Sequence, residues 1–195
     1  MDRIAEVTRV TKETDIYIKI NLDGSGKSKI KTGIGFFDHM LEGFAKHGLF
    51  DLEVKVKGDL NVDCHHTIED TGIVLGEVIR RALGDKSGIK RYGNFLLPMD
   101  ETLVMCGVDL SGRPYYVSDL KFTNDRTGEM DNCMVDEFFY AISYSAMMNL
   151  HFVQMRGVND HHIIEATFKA FAKALDMATT ADQRINGVLS TKGTI

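Results

Sequence analysis

Polar and hydrophobic residues alternate in several short stretches of the first half of the chain, and between these stretches the apolar spacing becomes three or four residues. Alternation is typical of strands with one buried face, whereas the longer spacing gives a helix an apolar stripe. Gly48 and Gly84 are expected to end the two helices, and Asp63 to cap the start of the second. The predicted elements are strands 4–10, 15–22, 28–33 and 51–58 and helices 35–47 and 63–84.

The second half of the chain repeats the same order of elements. Its predicted strands are 94–99, 101–110, 114–120 and 151–157, its helices are 133–149 and 161–179, and Asp160 is the expected cap of the last helix. Such a repeat indicates an internal duplication of a β-β-β-α-β-α unit. We expect half-repeats at 1–88 and 89–195 that form one compact α+β unit, with two sheets and the helices packed between them.

One motif occurs once in each half: HHTIE at 65–69 and HHIIE at 161–165, 96 residues apart, in a chain with seven histidines. Residues four apart share a helix face, so His65 with Glu69, and His161 with Glu165, can each hold one ion. Adjacent residues point about 100° apart, so His66 and His162 would serve other ions. The pattern favours two metal ions with ligands from both copies, although partly buried histidines without a metal remain an alternative.

Two residues upstream of the motifs could complete the coordination of these ions. His39 and Glu137 each follow an aspartate near the start of a predicted helix, at equivalent places in the duplication. A glutamate is favourable in a first helical turn for dipole reasons alone, so Glu137 is equally well explained without a metal. Imidazole and carboxylate ligands suit Mn, Fe or Zn. Cys64 precedes the first motif, but the second copy carries Asp160 there, which argues against a thiolate ligand.

Composition excludes several classes of protein. A net charge of −5 disfavours general binding of nucleic acid, which requires a basic surface. The chain has no apolar run long enough for a membrane helix and no signal-like N-terminus, so a cytoplasmic protein is expected. Three widely spaced cysteines indicate reduced thiols rather than disulfides.

Seven longer motifs run in order through nearly the whole sequence: FFDHML, DLNVDCHHTIEDTGIVLG, RYGNFLLPMDE, VDLSGRPY, LHFVQMRG, NDHHIIEATFKAFAKAL and STKG. In these motifs the chain resembles the imidazoleglycerol-phosphate dehydratases of histidine biosynthesis. The resemblance implies a fold similar to the second domain of ribosomal protein S5, a 24-subunit homo-oligomeric shell, and two-manganese sites between subunits. The implied metal ligands are His39, His65, His66, Glu69, His161, His162 and Glu165, with Glu137 where the family usually has histidine.

The resemblance also implies the reaction, a loss of water that converts imidazole glycerol phosphate to imidazole acetol phosphate. Two metal ions would hold the substrate ring as imidazolate, and Glu13, Glu165 and His66 would be the catalytic groups. The phosphate would be bound by Arg91, Arg113, Ser190 and Lys192, the last two in a C-terminal tail that closes over the substrate. The chain departs from the family pattern at Cys64, Gly43 and Leu189.

Three other functions are compatible with the residues alone. A di-metal phosphate-ester hydrolase would use similar ligands, a non-catalytic metal-binding protein would lack turnover, and an S5-like RNA-binding module would share the fold. Products released from a substrate panel, or salt-dependent RNA binding, would distinguish these classes from a dehydratase.

Overall fold

The computed structural model, which describes residues 3–195, contains ten strands and four helices within that range. The first half comprises β1 (Ile4–Val10), β2 (Thr14–Asn21), β3 (Ser28–Lys31), α1 (Gly35–Gly48), β4 (Asp51–Gly58) and α2 (His65–Leu83). The second half comprises β5 (Tyr92–Met99), β6 (Thr102–Asp109), β7 (Tyr115–Ser118), β8 (Arg126–Thr127), β9 (Met130–Asp131), α3 (Met134–Ala146), β10 (Asn149–Arg156) and α4 (Asp160–Thr179). Every predicted element is present, and only the hairpin of β8 and β9 was missed.

The two large sheets have the same strand order, which is β1-β2-β4-β3 in one and β5-β6-β10-β7 in the other. In each sheet the first three strands of that order are antiparallel, and the fourth runs parallel to its neighbour. The alternation in β2 explains its placement, because Ile16, Ile18 and Ile20 are all fully buried on one face. The α+β fold with duplicated β-β-β-α-β-α order is confirmed.

The helices lie between the sheets and connect the halves. Helix α2 packs on β1 and β2 and against α3, while α4 packs on β5 and β6 and against α1. Phenylalanines from both halves meet in this layer: the ring of Phe138 lies 5.1 Å from Phe37 and 5.3 Å from Phe168. Burial of each such side chain contributes about 1.5–3 kcal/mol, so neither half would keep this core by itself.

Three predicted helix ends differ in detail. Asn159, rather than Asp160, caps α4, because its backbone is extended and its side chain accepts from the His161 amide. At α2 the cap position is Cys64, and Asp63 still accepts a hydrogen bond from the His65 amide at 2.7 Å. Helix α1 runs through Gly48 and ends at Leu49, which takes the left-handed conformation with φ 59°. Gly84 ends α2 as predicted.

Candidate metal centre and phosphate-binding loops

The two repeated motifs form the first turns of α2 and α4. Nε2 of His65 lies 3.4 Å from Oε2 of Glu69, and Nε2 of His161 lies 3.1 Å from Oε2 of Glu165. Within each motif the rings of the two adjacent histidines are 6.1 Å apart between centroids. The helical geometry therefore presents one histidine and one glutamate together and directs the second histidine elsewhere.

His39, from the first half, joins the second-half motif. Its Nε2 lies 3.7 Å from Oε2 of Glu165, and ligand atoms of His39, His161 and Glu165 all fall within 4.8 Å of one another. Ligand atoms bound at about 2.0–2.2 Å from one ion would be about 3–4 Å apart, so two imidazoles and a carboxylate fit a divalent ion here. This is the one such cluster of three or more residues in the part of the chain that the structure describes.

Glu165 is held in its charged form. Burial of the side chain would raise the pKa, but Lys169, one turn along α4, outweighs it with an ion pair at 2.6 Å, and His39 and His161 lower the pKa further. The net effect is a lowered pKa, so a carboxylate ligand is available at neutral pH. Sequence reasoning did not single out Lys169, although its four-residue spacing from Glu165 is typical of a helical ion pair.

A carboxylate outside the motif orients the second histidine of each pair. Nδ1 of His66 lies 3.0 Å from Oδ2 of Asp59, and Nδ1 of His162 lies 2.8 Å from Oε2 of Glu101. These contacts are the largest cause of the raised pKa of each histidine, and the contact with His162 lowers the pKa of Glu101 to about 2. Partners of this kind fix the tautomer of a metal-ligating histidine and leave Nε2 free to bind the ion.

The Nε2 atoms of these two histidines face acidic residues in the strand turns. Nε2 of His66 lies 3.9 Å from Oε1 of Glu13, in the β1–β2 turn, and Nε2 of His162 lies 3.8 Å from Oδ2 of Asp100, in the β5–β6 turn. The duplication thus places an acidic side chain at nearly the same distance from Nε2 in both halves. Glu13 was predicted on the family resemblance, whereas Asp59, Asp100 and Glu101 were not predicted at all.

Glu137 and Cys64 lie apart from the cluster. Glu137 is exposed near the start of α3 and makes no hydrogen bond or ion pair within residues 3–195. Cys64 is buried, with its sulfur 3.6 Å from Oδ2 of Asp131, and burial raises the pKa of its thiol. Because the thiolate is the form that binds metal, this environment favours the protonated thiol, and the assignment of Cys64 as a non-ligand stays a prediction.

The β8–β9 hairpin lies between the two motifs. One surface cavity joins Arg126 and Gly128 to residues 60–64, and another joins the same two residues to residues 158–161. Asp160, which is 4% exposed, ties the base of this hairpin to α4 by accepting from the backbone amides of Thr123 and Asn124 and from the side chain of Asn132. The hairpin is therefore fixed to the helix end that carries His161.

Two of the predicted phosphate-binding residues, Arg91 and Ser190, line one cavity. The guanidinium of Arg91 donates to both carboxylate oxygens of Asp109, at 2.7 and 3.1 Å, and to the backbone oxygen of Leu189 at 2.9 Å. An arginine has five N–H donors, so these contacts still leave donors for an anion. The bond to Leu189 also fixes the C-terminal tail beside Arg91.

The other two predicted phosphate-binding residues, Arg113 and Lys192, do not line that cavity. Arg113 is in the turn after Ser111, and a Cβ on Gly112 of that turn would lie 2.7 Å from the backbone of Ile195, so the end of the tail contacts it. Lys192 is exposed, and its amide donates to the Ser190 hydroxyl at 3.2 Å. The tail thus connects the loops that carry Arg91 and Arg113.

Within residues 3–195, none of the helices combines the length and apolar character that crossing a membrane requires.

Comparison with known proteins identifies the family to which these features correspond. The family model described as imidazoleglycerol-phosphate dehydratase matches residues 32–175. Enzymes of that name from Lachnoclostridium phytofermentans and Acetivibrio thermocellus are 65% and 60% identical, over 100% and 99% of both chains. Crystal structures of the enzyme from Staphylococcus aureus and of that from Pyrococcus furiosus in complex with (S)-C348 superpose with TM-scores of 0.84 and 0.83, at 40% and 37% identity. They cover 92% and 97% of this chain, and 99% and 100% of their own.

Proposed function

Since the chain belongs to the imidazoleglycerol-phosphate dehydratase family and is therefore a dehydratase of histidine biosynthesis, we propose that it converts imidazole glycerol phosphate to imidazole acetol phosphate. The reaction would use two divalent metal ions, and Mn²⁺ is the expected metal. The observation that carries the metal proposal is the cluster of His39, His161 and Glu165, whose spacing suits one divalent ion. When bound, the ions would act as Lewis acids and hold the substrate imidazole as imidazolate.

The second ion would use the first motif. His65 and Glu69 present one nitrogen and one oxygen 3.4 Å apart, and Glu137 is the candidate for a third ligand. Because one chain brings only two or three ligands to each ion, further ligands would come from other subunits, with the Nε2 atoms of His66 and His162 as the expected donors. This need supports a homo-oligomer, for which the family resemblance implies a shell of 24 subunits, and the half-repeats 1–88 and 89–195 of each chain would act in it as one unit.

The proton that leaves the substrate carbon would be taken by a group beside the metal centre. Glu13 is suited to this role because its carboxylate lies 3.9 Å from His66, is 54% exposed and makes no hydrogen bond within residues 3–195. His66, with Nδ1 bonded to Asp59, would hold a metal ion through Nε2 beside Glu13, and Glu165, kept charged by Lys169, would stabilise positive charge in the site. General acid–base catalysis by such groups contributes about 10²–10⁴-fold.

The substrate phosphate would bind where the tail meets the arginine loops. Arg91 and Ser190 share a cavity, and the tail also contacts the turn of Arg113. Asp109 holds Arg91 in place, so its remaining donors are preorganised for a phosphate oxygen. Lys192 would add a point charge when the tail closes on the substrate.

The proposal is tested by depleting the folded protein of metal, restoring Mn²⁺, and measuring both bound metal and formation of the ketone product. We expect two metal ions per chain and turnover that depends on them. Release of inorganic phosphate instead of ketone, binding without turnover, or equal turnover in the folded metal-free protein would each overturn it.

Two substitutions on α2 provide a matched comparison. Glu69→Gln should lower metal occupancy and turnover together, because it removes a carboxylate of the first motif. Glu77→Gln is the control. Glu77 lies two turns further along the same helix and, among the described residues, pairs only with Arg81, so this variant should leave both quantities unchanged. Equal behaviour of the two variants would remove Glu69 from the metal site.

A further inference from the structure

A buried carboxylate connects helix α2 to the turn between β1 and β2. The hydroxyl of Thr14 donates to Oδ2 of Asp70 at 2.5 Å, and the guanidinium of Arg9 forms an ion pair with the same oxygen. The Asp70 side chain is 11% exposed. A charge in such surroundings is retained only when it is paired and hydrogen-bonded, so the three residues form one fixed unit.

The turn itself is rigid. The hydroxyl of Thr11 accepts from the backbone amides of Glu13 and Thr14, at 3.1 and 3.0 Å, and the Thr11 amide donates to the Thr14 carbonyl at 2.8 Å. Residues 11–14 therefore move together, and the bond from Thr14 to Asp70 sets where they lie relative to α2.

This connection determines the distance between Glu13 and His66. His66 lies one helical turn before Asp70 on α2, and its Nε2 is 3.9 Å from Oε1 of Glu13. Because the Glu13 side chain is half exposed and has no hydrogen bond of its own in the described part of the chain, only the anchored backbone keeps it beside His66.

The second half of the chain lacks this anchor. Ala166 follows His162 by four residues, as Asp70 follows His66, and it carries no group that could bind the β5–β6 turn. There Glu101 bonds directly to His162 at 2.8 Å and accepts from the backbone amides of Val158 and Asn159. Among the described residues the anchor is thus present only in the first half. In the second half Asp100, which faces Nε2 of His162 at 3.8 Å, has no such support, and its side chain is 79% exposed.

We infer that Asp70 and Thr14 are positioning residues that hold Glu13 at the reacting centre while leaving its carboxylate free. This inference rests on the proposed role of Glu13 in proton transfer. A side chain held directly, as Glu101 is, would have to break a hydrogen bond before it could take a proton.

The test is a double-mutant cycle on the manganese-loaded enzyme, with imidazole glycerol phosphate as substrate. Thr14→Val should lower kcat about 10- to 100-fold, as expected for a catalytic group displaced by about 1 Å, with KM and bound metal nearly unchanged. Thr14→Ser keeps the hydroxyl and should have a kcat close to that of the parent enzyme. In a Glu13→Gln background, Thr14→Val should have no further effect, because the group that it positions is already inactive.

A second measurement and a control variant distinguish a displaced Glu13 from a general loss of folded structure. Thr14→Val should speed hydrogen exchange at the amides of residues 13 and 14. Thr71→Val is the control: it removes a different buried hydroxyl, on α2, which among the described residues bonds only the Thr67 carbonyl, at 2.6 Å. It should leave kcat unchanged. Thr14→Ala serves in the same cycle if the valine variant does not fold.

The outcomes separate the two proposals. If Glu13→Gln leaves kcat unchanged, the proposed role of Glu13 is wrong, and the inference fails with it. If Glu13→Gln lowers kcat but folded Thr14→Val does not, or if the two losses multiply, Glu13 is catalytic and the positioning inference alone is wrong.

Discussion

Substitution of alanine for Gly76 tests the close contact of α2 with α3 that joins the two halves. A Cβ at position 76 would lie 2.7 Å from the Ile142 carbonyl and from Cβ of Ser145, and 3.0 Å from the Ala146 amide. Two of these neighbours are backbone atoms, which a rotamer change cannot move. The helices would have to separate by several tenths of an ångström, with loss of packing along their interface.

The sign of the effect depends on two opposing terms. Alanine is favoured over glycine inside a helix by about 1 kcal/mol, whereas overpacking a rigid contact costs about 1–3 kcal/mol. With backbone atoms as neighbours the cost falls at the upper end, so we expect Gly76→Ala to lower the free energy of unfolding by about 1–2 kcal/mol. Gly43→Ala in α1 is the matched control: nothing lies within 4 Å of its Cβ position, so the propensity term alone should raise stability by about 0.5–1 kcal/mol.

The measurement is urea unfolding of both variants and the parent at one protein concentration, since assembly contributes to apparent stability. The two substitutions are expected to shift the unfolding midpoint in opposite directions without changing the slope. If Gly76→Ala stabilised the protein as much as Gly43→Ala, the helices would not be in close contact, and the described interface between the halves would be wrong.

Three further predictions concern the site. Metal occupancy should fall as the pH decreases, and the fall should begin above the ordinary histidine pKa of about 6.5, because the raised pKa of His66 and of His162 lets protons compete with the metal at higher pH. Metal titrations at several pH values would measure this. Asp59→Asn should move the loss of metal at His66 to lower pH. Truncation before Ser190 should raise the substrate KM at least 10-fold with kcat less affected, and an unchanged KM would separate the tail from phosphate binding. Glu137→Ala should lower metal occupancy, and full occupancy would show that it is only a helix-start residue.

Local patterns in the sequence were sufficient to predict the strands, the helices and the duplication. Alternation and helical spacing depend on neighbouring residues, and β4 ends at Gly58 and α2 ends before Gly84 as predicted. The β8–β9 hairpin was missed because two residues per strand are too few for any periodicity to show. Asp160 was assigned as a cap because aspartate is common there, but its carboxylate is used by residues 123–132, which no local pattern reveals.

The contacts that shape the site join residues far apart in the sequence. Glu101 and His162 are 61 residues apart, and Thr14 and Asp70 are 56 apart. Such pairs follow only from the register of the sheets and the packing of helices on them. Residue type gave a hint in one case, since the β5–β6 turn carries acidic residues where the β1–β2 turn carries Glu13.

Duplication predicts where equivalent residues lie but not what they contact. His39 meets the second-half motif, with Nε2 3.7 Å from Glu165, whereas Glu137, at the equivalent place, is exposed and has no partner within residues 3–195. If Glu137 is a ligand, its ion must therefore be completed by groups from another copy of the chain. His39→Ala should then weaken metal binding even in isolated subunits, while Glu137→Ala should do so only in the assembled form, and metal titration of both variants at concentrations above and below assembly would distinguish the two roles.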